Sequence, residues 1–211
     1  ETGGKLVVPD GVVLTVEGTF TNNGTLEMTR NASGDTAFHI FNGLGSAVPY
    51  FGLSLAPSGS SLGLTTVRIH GGQECTVDDP GDTVNRCFEI SPAAAQPAQV
   101  IFYYLESERD GLSAANMQAW HWDGSLWTPA GSLVGVGTAA PGVHRVTMSN
   151  VSGYSPFFLT DKPLGPTAVA LKTLVARSTA GAPAAAGILA AGLLAGLALA
   201  WRSRRLHSRM G

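Results

Sequence analysis

The feature that most constrains this chain is an uncharged stretch near its end, residues 180–201, made mainly of alanine, glycine and leucine. A helix rises about 1.5 Å per residue and a bilayer core is about 30 Å thick, so about 20 apolar residues span it. Core helices of soluble proteins are usually amphipathic over such a length. We therefore predict one C-terminal transmembrane α-helix over residues 180–201.

The residues that follow this stretch indicate its orientation. Trp201 ends it, and indole rings prefer the interface between lipid tails and head groups. Residues 202–211 form a basic tail, and positive flanks lie on the cytoplasmic side. We expect a single-pass protein of the cell membrane, with the lipid bilayer as partner, an extracellular N-terminal domain and a cytoplasmic C-terminus. The tail guanidinium groups belong to Arg202, Arg204, Arg205 and Arg209.

Two glycines inside the predicted helix are candidates for packing against another helix. Gly192 and Gly196 form a small-xxx-small pair, which permits close approach of two helix backbones. This pattern keeps open the interpretation that the chain is a single-helix accessory subunit of a membrane complex.

The charge distribution argues against nucleic-acid binding. The formal net charge is −2, but residues 1–201 carry −6 and the last ten residues carry +4. Nucleic-acid binding needs a cationic face, which an acidic domain does not offer. An exported domain needs a secretion signal, and this sequence starts without one, so we expect a mature product or the C-terminal part of a longer protein.

The two cysteines, Cys75 and Cys87, indicate a disulfide. Outside the cell, an isolated close pair is most simply oxidised, and the resulting loop of about 13 residues contributes up to about 3 kcal/mol. Two thiols alone do not complete a tetrahedral metal site. The loop carboxylates Asp78, Asp79 and Asp82 lack the regular order of a calcium loop, so we predict neither a metal site nor a cofactor.

Residues 1–46 repeat apolar positions at a short interval. Val8, Leu14, Phe20 and Leu26 are spaced by six, and turn dipeptides separate them. This spacing fits the rungs of a β-solenoid, while an ordinary β-meander remains the alternative. A solenoid this short needs neighbouring rungs, so we expect further rungs before Glu1.

Residues 47–161 contain short apolar segments separated by glycine, proline, asparagine or aspartate, which is typical of an antiparallel β-sandwich. Residues 162–179 are predicted to be a linker or a final short strand. The strands are predicted at residues 50–55, 64–70, 86–90, 99–105, 117–122, 125–129, 143–148 and 155–159.

Catalytic patterns do not appear in the sequence, so we predict no catalytic residue and expect no enzyme. The histidines are scattered outside any metal-ligand spacing, and no nucleophile elbow or phosphate loop is present. The densest acidic run, with Glu106, Glu108 and Asp110, is predicted to form a solvated turn after a strand.

Three tryptophans give the one candidate ligand site. Trp120 and Trp122 are two residues apart and so share a strand face, and Trp127 lies across the predicted Asp-Gly hairpin. Exposed, they would form a platform for stacking sugar rings. The alternative is that they fill the sandwich core, where large aromatic side chains usually lie.

The C-terminal half resembles a known architecture. The apolar run with the cluster Arg202-Ser-Arg-Arg is similar to the sorting and anchoring tails of bacterial surface proteins handled by sortase-like or exosortase-like enzymes. The segment from Gly165-Pro-Thr-Ala, and residues 88–161 with Trp-His-Trp-Asp-Gly, resemble exported proteins of filamentous phototrophic bacteria. Neither Leu-Pro-x-Thr-Gly nor Pro-Glu-Pro precedes the helix.

We therefore expect a non-enzymatic, membrane-anchored surface protein with a structural or adhesive role in the cell envelope. Its partners would be a surface glycan or another envelope protein. The second interpretation is a carbohydrate-binding module of a longer surface protein that acts on polysaccharide.

Overall fold

The computed structural model describes residues 3–42, 48–77, 81–154 and 156–163, which belong to one compact unit, Glu1–Leu164. The described residues form strands and two single-turn 3-10 helices, Glu106–Glu108 and Ala114–Asn116, which confirms the predicted all-β class. The strands are β1 (Lys5–Val8), β2 (Thr25–Ala32), β3 (Thr36–Ile40), β4 (Tyr50–Pro57), β5 (Gly63–Gly71), β6 (Arg86–Pro92), β7 (Ala98–Leu105), β8 (Gln118–Trp122), β9 (Trp127–Pro129), β10 (Ser132–Ala140), β11 (Val143–Val151) and β12 (Phe157–Thr160).

The strands form two sheets. The seven-stranded sheet has the order β1-β2-β5-β6-β12-β8-β9, and the five-stranded sheet has the order β10-β11-β7-β4-β3. Neighbours pair antiparallel except β1 and β2, which pair in parallel. Chain order and spatial order differ. β6 pairs with β12 in the seven-stranded sheet, whereas β7, which follows β6 in the chain, belongs to the five-stranded sheet.

The core between the sheets follows from the alternation of side chains along each strand. In β5, Val67 and Ile69 are buried while Arg68 between them reaches the opposite face. The ring of Phe102 in the five-stranded sheet meets Phe88 and Phe157 of the seven-stranded sheet, with centroids 5.1 and 5.3 Å apart. Full burial of each such ring stabilises the fold by about 1.5–3 kcal/mol.

The N-terminal segment contains both parallel and antiparallel pairings. Lys5 of β1 pairs with Thr25 of β2 in parallel, and Thr15 forms an isolated parallel bridge with Phe41, so the segment before β2 makes one turn of chain, the N-terminal coil. Beyond that coil, β2 pairs with β5 and β3 pairs with β4 in antiparallel register. Residues 1–46 and 47–161 therefore contribute strands to the same two sheets and side chains to one core.

The predicted membrane segment, residues 180–201, lies outside the described residues, as do the basic tail 202–211 and the linker from residue 164 onward. The residues predicted for anchoring, topology and helix packing, Gly192, Gly196, Trp201, Arg202, Arg204, Arg205 and Arg209, fall in this part. Within the ranges that the structure describes, none of the helices has the length and apolar character to cross a bilayer.

Candidate functional site

A disulfide joins Cys75 to Cys87, which confirms the pairing that the sequence predicts. Cys87 lies in β6 beside Phe88, whose ring belongs to the core between the sheets, so Cys87 faces the opposite, outer side of the seven-stranded sheet. Both cysteines are buried. The bond therefore holds the segment after β5 against the outer face of the sheet.

A small hydrophobic cluster surrounds the disulfide on this outer face. It contains both cysteines, Trp120 of β8 and Phe158 of β12, and Trp127 of β9 packs against it. The Trp127 ring meets Phe158 edge-on with a centroid distance of 4.3 Å. β-Sandwiches usually expose the outer faces of their sheets to water. Here the disulfide and these aromatic rings cover part of the outer face of the seven-stranded sheet.

The three tryptophans lie together, but they differ in accessibility. Trp120 is 5% exposed, whereas Trp122 and Trp127 are half-buried. The rings of Trp122 and Trp127 lie 5.4 Å apart with planes tilted by 59°, so they form no flat platform. Trp120 is buried in the outer-face cluster and does not fill the core between the sheets, whereas Trp122 and Trp127 stay partly exposed.

The β8–β9 hairpin fixes the position of the two accessible rings. Trp122 and Trp127 are direct cross-strand partners, and the backbone of Asp123 and Leu126 closes the turn. The Asp123 carboxylate accepts hydrogen bonds from the backbone N–H groups of Leu126 and Ser125 and from the Ser125 hydroxyl. These bonds hold the pKa of Asp123 below its ordinary value and rigidify the tip.

The structure adds a buried ion pair that sequence reasoning missed. Arg86, at the start of β6, donates two hydrogen bonds to the carboxylate of Glu108 and one each to the backbone oxygens of Phe51 and Tyr103. Its guanidinium carbon lies 4.8 Å from the centroid of the Tyr50 ring. The sequence contains a clue to this pair. Arg86 lies on the same strand face as Phe88 and Ile90, and an arginine on a buried face needs an acidic partner.

His39 is a second buried polar group. Its Nδ1 accepts a hydrogen bond from the backbone N–H of Gly52, and its ring contacts Phe51 and Tyr103. Burial lowers the pKa of His39 from 6.5 to about 4, so the ring is neutral around pH 7. These contacts indicate a structural role on the outer face of the five-stranded sheet.

Among the residues described, no three histidine, cysteine, aspartate or glutamate side chains are grouped so that they would hold a metal ion. No protein-family model, curated protein or solved structure matches the chain.

Proposed function

We propose that this protein is a membrane-anchored, extracytoplasmic β-sandwich with a structural or adhesive role at the cell surface. The observation that carries the proposal is the buried Cys75–Cys87 disulfide, because disulfides that support a fold persist in oxidising compartments. The uncharged residues 180–201, followed by four arginines, supply the anchor in this proposal. The likeness of this tail to bacterial sorting signals supports a bacterial envelope protein.

The test is the location and redox state of the full chain in its native cells. Cells are treated with an alkylating reagent before lysis, and the thiols are counted by mass in reduced and unreduced samples. We expect both cysteines to be protected from alkylation and the chain to remain with membranes after an alkaline carbonate wash. Free thiols at lysis, or recovery of the intact chain in the wash, would contradict the proposal.

A matched variant separates the anchor from the domain. Deletion of residues 180–211 should release an oxidised domain from the membrane fraction, whereas Asp35→Asn, on an exposed turn, should leave the chain membrane-bound. The intact mass of the native protein also distinguishes a retained tail from a tail removed by a sorting enzyme.

The partial exposure of Trp122 and Trp127 favours a second candidate function, carbohydrate binding by one or two rings. Sugar rings stack on accessible indole faces, so Trp122→Ala should abolish retention of the chain on an insoluble polysaccharide. Trp201→Ala, in the predicted membrane segment, is the matched tryptophan control. Equal retention of the two variants would remove this candidate.

A further inference from the structure

Strand β10 forms one edge of the five-stranded sheet, with β11 on one side and no strand on the other among the described residues. In an antiparallel edge strand, the N–H and C=O groups of alternate residues point away from the neighbouring strand and can pair with a further strand. The other sheet edges, β1, β3 and β9, are four, five and three residues long, whereas β10 has nine residues. β10 is therefore the longest open edge of the described fold.

The sequence of β10 lacks the residues that usually protect an edge. Ser132–Ala140 contains neither a charged residue nor a proline, whereas β1 carries a lysine and β9 ends in a proline. Two β-bulges, one between Leu133 and Gly135 and one between Thr138 and Ala140, bend β10 near its ends. Between them, residues 135–138 keep regular pairing with β11, so a straight segment remains for a further strand.

Two apolar side chains of β10 lie on a face that is buried in the neighbouring strand. Val136 is opposite Val146 of β11 and Leu133 is opposite Met148, and directly opposed residues share a sheet face. Val146 and Met148 are fully buried in the core between the sheets, but Val136 is 36% exposed and Leu133 is 47% exposed. The seven-stranded sheet thus covers the inner face of β10 incompletely, and apolar surface remains at the open edge.

The sequence around Val136 is nearly symmetric. Gly135 and Gly137 flank it, and beyond them lie Val134 and Thr138, two β-branched side chains of similar shape. If two identical strands pair antiparallel about a two-fold axis at Val136, each glycine lies opposite a glycine and Val134 lies opposite the partner's Thr138. The two Val136 side chains then meet at the axis on the inner face. This self-complementarity favours a second copy of the chain over an unrelated strand.

The charges near the ends of β10 fit the same arrangement. Glu106 pairs with Arg109 and with His144, close to the turn that joins β10 to β11. The other end of β10 starts at Ser132, opposite the uncharged Ser149. Antiparallel pairing brings the charged end of each copy next to the uncharged end of the other, so these like charges stay apart.

We propose that two copies of this chain pair through their β10 strands, antiparallel about a two-fold axis at Val136, and form one continuous ten-stranded sheet. The pairing adds main-chain hydrogen bonds along the edge and covers the exposed part of Val136 in both copies. This contact goes beyond the function proposed above and does not depend on the membrane anchor.

The size of the contact sets its expected strength. Nine residues of strand extend over about 30 Å, so one strand pair buries less surface than a standard stable interface. We therefore expect a weak dimer, with a dissociation constant of about 10–100 μM.

The test is light scattering of the full chain in a nonionic detergent, with the detergent mass subtracted, from about 1 μM to about 1 mM protein. We expect the mass to rise from one chain to two and to stop there, because an isologous contact closes on itself. Gly192→Leu, Gly196→Leu, which removes the small-xxx-small pair of the predicted helix, should form the same dimer. A single chain throughout the range in the parent would overturn the proposal, as would loss of the dimer or growth beyond two chains in the glycine variant.

A charge at the axis locates the contact. Val136→Lys places two like charges opposite each other and should weaken the dimer by about 100-fold or more. Val13→Lys makes the same substitution outside β10, at a residue that is 66% exposed, and should dimerise as the parent does. Circular dichroism of the three chains checks that the fold is kept. Equal dissociation constants for Val136→Lys and Val13→Lys would rule out the β10 contact.

Cysteine cross-linking gives a second measurement that introduces no charge into β10. Opposed Cβ atoms of an antiparallel pair are about 4.5–5.5 Å apart, a separation that a disulfide bridges after a small backbone shift. Mild oxidation of Val136→Cys should therefore yield a covalent dimer that dithiothreitol dissociates, and Val13→Cys should remain monomeric on the same gel. Equal yields of covalent dimer from the two variants would show that the chains meet by random collision and would overturn the pairing.

Discussion

The guanidinium of Arg86 and the carboxylate of Glu108 form an ion pair, with Nη2 and Oε1 2.7 Å apart, the Arg86 side chain 1% exposed and the Glu108 side chain 12% exposed. The same guanidinium bonds the backbone of β4 at Phe51 and of β7 at Tyr103. Arg86 belongs to the seven-stranded sheet and these acceptors belong to the five-stranded sheet. One side chain therefore links the two layers through polar contacts.

Substitution of Arg86 should be among the most destabilising single changes in the chain. Arg86→Met leaves Oε1 of Glu108 and two backbone oxygens without their donor, so we expect a loss of about 3–5 kcal/mol in the free energy of unfolding. Urea unfolding of the full chain in detergent, followed by circular dichroism, measures it. Arg109→Met, which breaks the exposed pair with Glu106, is the control and should destabilise the chain far less, because solvent screens an exposed pair.

A double variant tests the reason for that loss. If an uncompensated buried charge is the cause, Arg86→Met combined with Glu108→Leu should be more stable than Arg86→Met alone. If the losses of the two single variants simply add in the double variant, this explanation is wrong and the loss comes from packing.

The disulfide should stabilise both the fold and the outer-face cluster. Cys75 and Cys87 are 12 positions apart, and loss of a cross-link of that span costs up to about 3 kcal/mol. The Cys75→Ser, Cys87→Ser variant should lose that stability in urea unfolding, and its tryptophan emission should shift to the red as Trp120 gains solvent contact. Dithiothreitol should reproduce both effects in the parent and change nothing in the variant. A parent chain that is insensitive to reduction would disprove the prediction.

Much of the sandwich could be predicted from the sequence, because strand signals are local. Each of the eight strands predicted between residues 47 and 161 overlaps a strand in the structure. β10 was missed, since Gly135 and Gly137 interrupt the alternation and its side chains are largely exposed along a sheet edge. Such a segment has no alternation of apolar and polar residues, so its composition predicts a loop.

The polar interior could not be predicted, because it depends on which strands become neighbours. The acidic run after β7 forms a turn as predicted, with Glu106 exposed, but Glu108 turns inward to Arg86. That pairing joins residues 22 apart, across the change from one sheet to the other. Alternation places Trp120 and Trp122 on one strand face, with Trp127 across the hairpin, and the structure agrees. The burial of Trp120 could not be predicted, because it depends on the disulfide that packs against that face.

Acidification should destabilise the fold through His39. The pKa of His39 is lowered from 6.5 to about 4 by burial, so between these values the unfolded chain binds a proton that the folded chain excludes. The stability contributed by neutral His39 is present above pH 6.5 and is lost as the pH falls toward 4, by about 3 kcal/mol in total. His121, whose pKa burial also lowers, acts in the same direction.

The His39→Gln variant isolates that contribution. Its unfolding free energy should change less than that of the parent between pH 7 and pH 4.5, because glutamine does not titrate. Urea unfolding at the two pH values gives the difference, and the remaining slope contains the contribution of His121. Identical pH dependence of parent and variant would show that His39 titrates normally in the fold.

A row of charges on the outer face should fasten the N-terminal coil to the seven-stranded sheet. Glu27 of β2 pairs with Lys5 of β1 on one side and with Arg68 of β5 on the other, and Arg68 continues to Glu89 of β6. The bonds from Lys5 and then Arg68 hold the pKa of Glu27 below its ordinary value of 4.5. The ion pairs thus contribute stability above that pH, and the contribution is lost as the pH falls.

Glu27→Gln should therefore cost about 1 kcal/mol at low salt, since it removes the central charge of a surface network. The loss should shrink as the salt is raised, because dissolved ions screen charges at the protein surface. β1 is an edge strand with no partner beyond β2 in the described sheet. The substitution should therefore speed amide exchange with solvent more in β1 than in β5. Hydrogen exchange measured residue by residue checks this, with Glu17→Gln as an exposed carboxylate control. Equal protection of Lys5–Val8 in the two variants would mean that the parallel backbone pairing alone holds the coil in place.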